Sequence, residues 1–297
     1  MTTYDAAVVR EGLHFGESPR WHDGRLWYSD FFDHAVHALA EDGTDERVLQ
    51  VAGQPSGIGW MPDGDMLVVS MRDRRVLRRA ATGNVVEHAD LSGVATFHCN
   101  DMVVDGAGHA FVGNFGFDLH AFANEHGSDG LVDPSILPSA VLARVDPDGT
   151  VAVAVPEMSF PNGSVISPDG RTLIVAETLA RRLSAFDLDD QGNVTRRRVW
   201  ADLAPLGLLP DGICQDTDGA VWVANAVGPT ANRIAEGGEV LDEVTFSQNC
   251  YACMLGGSSG TELFAMTAPS SDPRDASAAR NGRIESAAVR VPHAGRP

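Results

Sequence analysis

Apolar residues in this chain gather into short runs, and each run follows closely on a loop glycine. The six copies are Gly24 before Leu26-Trp27-Tyr28, Gly64 before Met66-Leu67-Val68-Val69, Gly108 before Ala110-Phe111-Val112, Gly170 before Leu173-Ile174-Val175, Gly219 before Val221-Trp222-Val223, and Gly260 before Leu263-Phe264-Ala265. Short apolar runs bounded by turn signals predict buried strands. The turns are marked by Pro62-Asp63-Gly64, Pro147-Asp148-Gly149 and Pro168-Asp169-Gly170, where proline pre-sets φ and glycine is permissive. The glycines are spaced by 40, 44, 62, 49 and 41 residues. A period in the forties with about four strands per unit predicts propeller blades.

Strands are expected at 18–21, 26–29, 35–39 and 47–51 in the first unit, and at 57–60, 66–70, 76–79 and 85–88 in the second. The fourth unit predicts 164–167, 172–176, 183–187 and 197–201. The sixth offers only 252–255, 263–267 and 284–291, one strand short. The β-like segment 4–10 has no blade of its own, so pairing it with the last unit would close the ring and protect two sheet edges. The expected fold is all-β, a six-bladed β-propeller forming one domain over residues 1–297. The long interval holds an insert at about 115–138 without strand alternation, which is expected to be a lid over one mouth of the channel. Residues 268–283 predict a polar surface loop.

Charge narrows the partners. A net charge of −19 argues against nucleic acid and anionic membranes, which need a cationic face. The first five residues lack the basic start and apolar core of a signal peptide, and no run reaches the length of a membrane span. The expectation is a cytoplasmic protein, a monomer or small homo-oligomer, acting on a small molecule. Cys250-Tyr251-Ala252-Cys253 has C-x-x-C spacing but falls on a predicted strand, where positions three apart face opposite ways, and no second pair completes a zinc site.

The repeats differ at one equivalent position. Eight residues before five of the glycines, and seven before the first, stand Glu17, Ser56, Asn100, Asn162, Asp211 and Ala252. The first strand of a blade lines the channel, so these residues would converge at one mouth. Two carboxylates and two amides make a hard-oxygen set suited to Ca²⁺, Mg²⁺ or Mn²⁺. Clustered carboxylates repel one another unless a cation neutralises them. Ser56 and Ala252 would leave room for substrate.

The ordered set Gly16-Glu17-Ser18-Pro19-Arg20-Trp21, Asn100-Asp101-Met102-Val103-Val104-Asp105, Pro161-Asn162-Gly163, Pro210-Asp211-Gly212-Ile213 and Cys253-Met254-Leu255-Gly256-Gly257 resembles motifs of the SMP-30/gluconolactonase/LRE family across essentially the whole chain. The resemblance implies a propeller that binds one divalent cation, Ca²⁺ first and Mg²⁺, Mn²⁺ or Zn²⁺ as alternatives. It also implies a hydrolase of carboxylic ester bonds that opens lactones. Carried over, Glu17, Asn162 and Asp211 match the metal ligands, Asp211 the catalytic acid/base, and Asn100 a residue contacting substrate or its water. His98 stands where sugar-lactone members often hold arginine, and is a candidate substrate-binding residue. Phe97, Phe115 and Phe117 suggest a less polar pocket, and His120, Glu125 and His126 are further lid candidates. Two other readings remain open: ester or phosphotriester hydrolysis at the same centre, and a non-enzymatic calcium-binding propeller.

Overall fold

The computed structural model describes residues 1–294. Six antiparallel sheets follow one another along the chain, each with its first strand innermost: Gly16–His22, Pro55–Trp60, Cys99–Val104, Pro161–Ile166, Pro210–Gln215 and Asn249–Gly256. These inner strands neighbour one another in cyclic order, the last against the first. The fold is a six-bladed propeller around a central channel.

The glycine-led runs are the second strands, and their burial explains their composition. Along Met66–Ser70 every residue is buried, because both faces of the sheet are covered. Met66 and Val68 pack toward blade 1 with Val36 and Ile58, whereas Leu67 and Val69 pack toward blade 3 with Met102, Val112 and Val145. Alternation of side chains across a strand thus supplies two inter-blade interfaces from one apolar run. Each of the six interfaces between adjacent blades has its own apolar cluster in this way.

The ring closes at the amino terminus, with more detail than expected. The predicted segment 4–10 is two strands. Ala7–Leu13 pairs antiparallel with Gly282–Ala288 and completes blade 6, while Thr2–Asp5 adds in parallel to the outer strand Val240–Thr245 of blade 5. Both outer edges are therefore covered by the same chain end.

The insert contains a helix, Leu119–Gly130, broken at Gly127 where φ is 74°. Asp118 starts it by accepting from Ala121 N–H (2.9 Å), and Phe122 packs on Phe117 and His126 at centroid distances of 5.0 and 4.4 Å. The segment expected to be a polar loop at 268–283 also carries a short helix, Pro273–Ala278, capped by Asp272. Its Ala276 is buried with Phe15, Phe31, Met71 and Tyr251. Among the described residues, no helix is long and apolar enough to cross a membrane.

Candidate metal and active site

All six inner strands break register at the same place. Between Pro55↔Ser70 and Ile58↔Val68, one residue more is fitted on the inner strand than on its partner. The same bulge follows Glu17, Cys99, Pro161, Pro210 and Cys250. A bulge bends the strand and re-aims its side chains, which is why bulges often border functional sites. The position following the last regular pair is Ser18, Ser56, Asn100, Asn162, Asp211 and Tyr251, so Glu17 stands one place earlier, as the last paired residue before the bulge of blade 1.

Two equivalences therefore change, in blade 1 and in blade 6. Blade 6 contributes Tyr251 at this level, not Ala252. Its inner strand, Asn249–Gly256, is two residues longer than most of the others and has one more residue between bulge and turn, so counting eight back from Gly260 stops one short. Ala252 instead lies in the apolar cluster between blades 6 and 1. Tyr251 is buried beside Phe15, with ring centroids 4.7 Å apart.

Close approach of the inner strands is made possible by glycines just after the site position. A Cβ on Gly163 would stand 2.5 Å from the Asp211 carbonyl oxygen, and one on Gly212 would stand 2.5 Å from the Ala252 side chain. Neither distance is sterically available to another residue, so Asn162, Asp211 and blade 6 are held edge to edge.

The expected residues are brought together around the axis. Glu17, Asn100, Asn162 and Asp211 are all at most 7% exposed. Burial, then the charges of Asp211 and Asp101, push the Glu17 carboxyl well above its ordinary pKa, against the Ser18 N–H and Arg20. Burial and the Asp101 charge push Asp211 up to about 8, although an Asn162 hydrogen bond opposes the shift. Asn162 Nδ2 also donates to Thr178 Oγ1 (3.2 Å), which orients the amide.

Asp101 and Arg20 were not singled out by sequence. Arg20, 3% exposed, donates to Asp101 Oδ1 (2.6 Å), the Ile58 carbonyl (3.1 Å), the Met102 carbonyl (2.7 Å) and the Pro19 carbonyl (2.8 Å). It ties the inner strands of blades 1, 2 and 3 together and is engaged by Asp101. Arg20 and Asp101 both stood inside quoted motifs, but only the fold makes them partners.

A divalent cation fits this donor set. Glu17 and Asp211 are buried carboxylates with no ion-pair partner among the described residues, while the Asn100 Nδ2 and Ser18 Oγ atoms are buried without hydrogen-bond partners. Among the described residues, no cluster of three or more His, Cys, Asp or Glu side chains could hold a metal, so a cation here would need neutral oxygen donors besides the two carboxylates. Carboxylate and amide oxygens suit hard cations. The cysteines are not part of the centre: Cys99, Cys214, Cys250 and Cys253 are buried and unpaired, and Cys253 Sγ faces the Gly212 and Trp222 carbonyls.

His98 lies at the rim, two residues before Asn100. It is stacked on Phe97 at 4.1 Å and meets Phe115 edge-on at 6.0 Å. Phe115 continues to Phe160 at 4.5 Å, making an aromatic wall on the side of blades 3 and 4. Phe117 and His126 belong instead to the packing of the insert helix on Phe122, and Glu125 is exposed. His120 is close enough to Asp272, on the facing blade 6, to help Arg274 hold that carboxyl below its ordinary pKa. Cavities of about 410 and 310 Å³ open at the opposite end of the ring, away from these residues.

Fold and site together define a six-bladed propeller with an acidic, oxygen-rich centre at one mouth. A sequence model of the SMP-30/Gluconolactonase/LRE-like region matches residues 15–269, and the chain belongs to this family. It is 27% identical over 225 residues to the pentonolactonase XacC of Haloferax volcanii, covering 74% of this chain and 70% of that one. It is 26% identical to regucalcin of Danio rerio, covering 88% and 85%. The fold is shared with the solved structure of a calcium-binding protein, regucalcin, from Agrobacterium tumefaciens, with a TM-score of 0.80 and 21% identity over 100% of this chain and 98% of that one.

Proposed function

We propose that this protein is a divalent-cation-dependent lactonase whose centre is Glu17, Asn162 and Asp211. The observation that carries the reading is the convergence of two buried, uncompensated carboxylates with two amides at one mouth of the propeller. Membership of a family whose named relatives include lactonases supports a hydrolase. Glu17, Asn162 and Asp211 would hold the cation, with Ca²⁺ first and Mg²⁺, Mn²⁺ or Zn²⁺ as alternatives. When bound, it supplies positive charge to polarise the lactone carbonyl and stabilise the developing oxyanion.

The chain's own groups would do the rest. A carboxylate oxygen of Asp211 takes a proton from the attacking water and returns it to the ring oxygen as the ester bond breaks, releasing a hydroxy acid. Asn100, with its free Nδ2 hydrogens, binds substrate or that water. His98 contacts substrate from the rim. In this reading the insert at about 115–138 acts as the lid of a single domain over residues 1–297, and the reach of His120 toward Asp272 supports its crossing the mouth. A cytoplasmic location is supported by four cysteines that remain unpaired.

The test is a pH-stat assay on a panel of lactones, esters and phosphotriesters with each cation in turn. Lactone turnover is expected, lost on chelation and in Asp211→Ala and Glu17→Ala. Wild-type turnover by either variant with the cation removed would overturn the mechanism. Tight cation binding without turnover on any panel member would favour a calcium-binding role.

A further inference from the structure

Above Asn100, backbone geometry places an arginine beside His98. The turn after the second strand of blade 2 is fastened on both edges. Met71 N–H donates to the Gln54 carbonyl (2.8 Å), Arg72 N–H donates to the Gly53 carbonyl (2.8 Å), and the Met71 carbonyl accepts from Cys99 N–H (3.0 Å). Residue 72 is thereby set next to residue 98, at the same mouth as the buried carboxylates.

Arg72 is exposed and its guanidinium has no hydrogen bond or ion pair among the described residues. Its neighbours in the turn are engaged. Arg74 donates to the Ala95 carbonyl (3.0 Å), and Arg75 is paired with Glu87 and Asp90. His98 beside it is half-buried, and burial, reinforced by the Arg72 charge against that of Asp118, holds the imidazole below its ordinary pKa. The ring is then neutral near neutral pH and keeps one N–H to donate. In a chain with 41 acidic and 22 basic residues, an arginine left without a carboxylate at the site mouth is unusual in its surroundings. Its planar fork matches oxyanions in two-point contact.

We propose that Arg72, with His98 at its side, receives an anionic substituent of the substrate, so that the preferred lactone carries a carboxylate, sulfonate or phosphate away from its ring ester. This rests on the lactonase reading and narrows it to a substrate class. The Arg72 charge offsets the repulsion that an anion would otherwise meet from Asp118 and the acidic centre.

The test compares kcat/KM for a neutral five-membered lactone and for the same ring bearing a side-chain carboxylate, sulfonate or phosphate. The wild type is expected to favour the best anionic member by about tenfold, chiefly through KM, as one charge-assisted contact open to solvent would give. Arg72→Gln should bring the ratio close to one, Arg72→Lys should restore part of it, and salt at about 0.5 M should shrink it. No preference in the wild type, or an equal loss on both substrates in Arg72→Gln, overturns the proposal. If no lactone is turned over, the lactonase reading fails separately. Calorimetric titration of the same compounds into the Ca²⁺-loaded protein then decides Arg72: a tenfold difference in Kd that Arg72→Gln removes supports it, and equal or absent binding overturns it.

Discussion

Asp211→Asn is expected to make the cation-free protein more stable while abolishing its turnover. Folding buries this carboxyl and sets it near the Asp101 charge without a compensating cation, raising its pKa from 3.8 to about 8. A carboxyl with a raised folded pKa costs nothing below about pH 4, where folded and unfolded chains both hold the proton. As pH climbs, the unfolded chain ionises first, and stability falls until the folded form ionises near 8. At about 1.4 kcal/mol per unit, the cost at pH 7 is on the order of 4 kcal/mol. Asparagine keeps the volume and removes the charge, but its amide must find partners of its own, which returns roughly half of that gain. A net gain of about 2 kcal/mol corresponds to a Tm rise of roughly 3 °C in a chain of this size.

The assay is thermal unfolding in excess chelator from pH 5 to 8.5, wild type against Asp211→Asn. The gap is expected to open as pH rises and to reverse with saturating Ca²⁺, because a ligand of the folded state stabilises only the chain that binds it. Equal pH slopes, or a variant no more stable than wild type in chelator at pH 8, would refute the reasoning. Because Glu17 and Asp211 raise each other's cost, a Glu17→Gln/Asp211→Asn double variant should gain less than the sum of the singles.

Other expectations follow from the packing. Glu177 has a fully buried side chain and accepts from Arg197 (2.7 Å to each oxygen), Arg182 (2.9 Å), Ser159 N–H (3.0 Å) and Ser184. Glu177→Ala should cost about 2–4 kcal/mol in denaturant unfolding, at the lower end of buried pairs because both arginines can turn to solvent. Burial would raise the Glu177 carboxyl, but these donors hold it below its ordinary pKa, so its contribution is present above about pH 4 and lost as pH falls through the lower folded value. Gly163→Ala would drive a methyl against the Asp211 backbone, and calorimetry should show Ca²⁺ affinity falling at least tenfold along with the Tm. Deleting residues 1–13 would bare the edges of Gly282–Ala288 and Val240–Thr245, and light scattering should detect aggregation on mild heating.

Much of the fold was legible because each blade repeats the same local physics. Strands such as Arg25–Asp30 and Ala35–Ala40 fall where the apolar runs and turn residues put them. The site was legible where the repeats carried different residues, at Glu17, Asn100, Asn162 and Asp211. Tyr251 was missed because blade 6 holds one more residue between its bulge and its turn, and no residue type announces that change. The insert helix was missed because its sequence, with Gly127 inside and no strong apolar stripe, has little helical signal of its own.

Alone, the sequence determined the number of blades, the closure of the ring by the amino terminus, and the acidic, amide-rich character of one mouth. Those properties depend on local patterning that recurs about every forty residues. Tertiary structure decided which polar residues act together: Arg20 with Asp101, Thr178 with Asn162, and Arg72 beside His98. These partners lie 81, 16 and 26 positions apart in the chain. Thr178 meets Asn162 across one hairpin of blade 4, whereas the other two pairs meet only when different sheets pack around one axis.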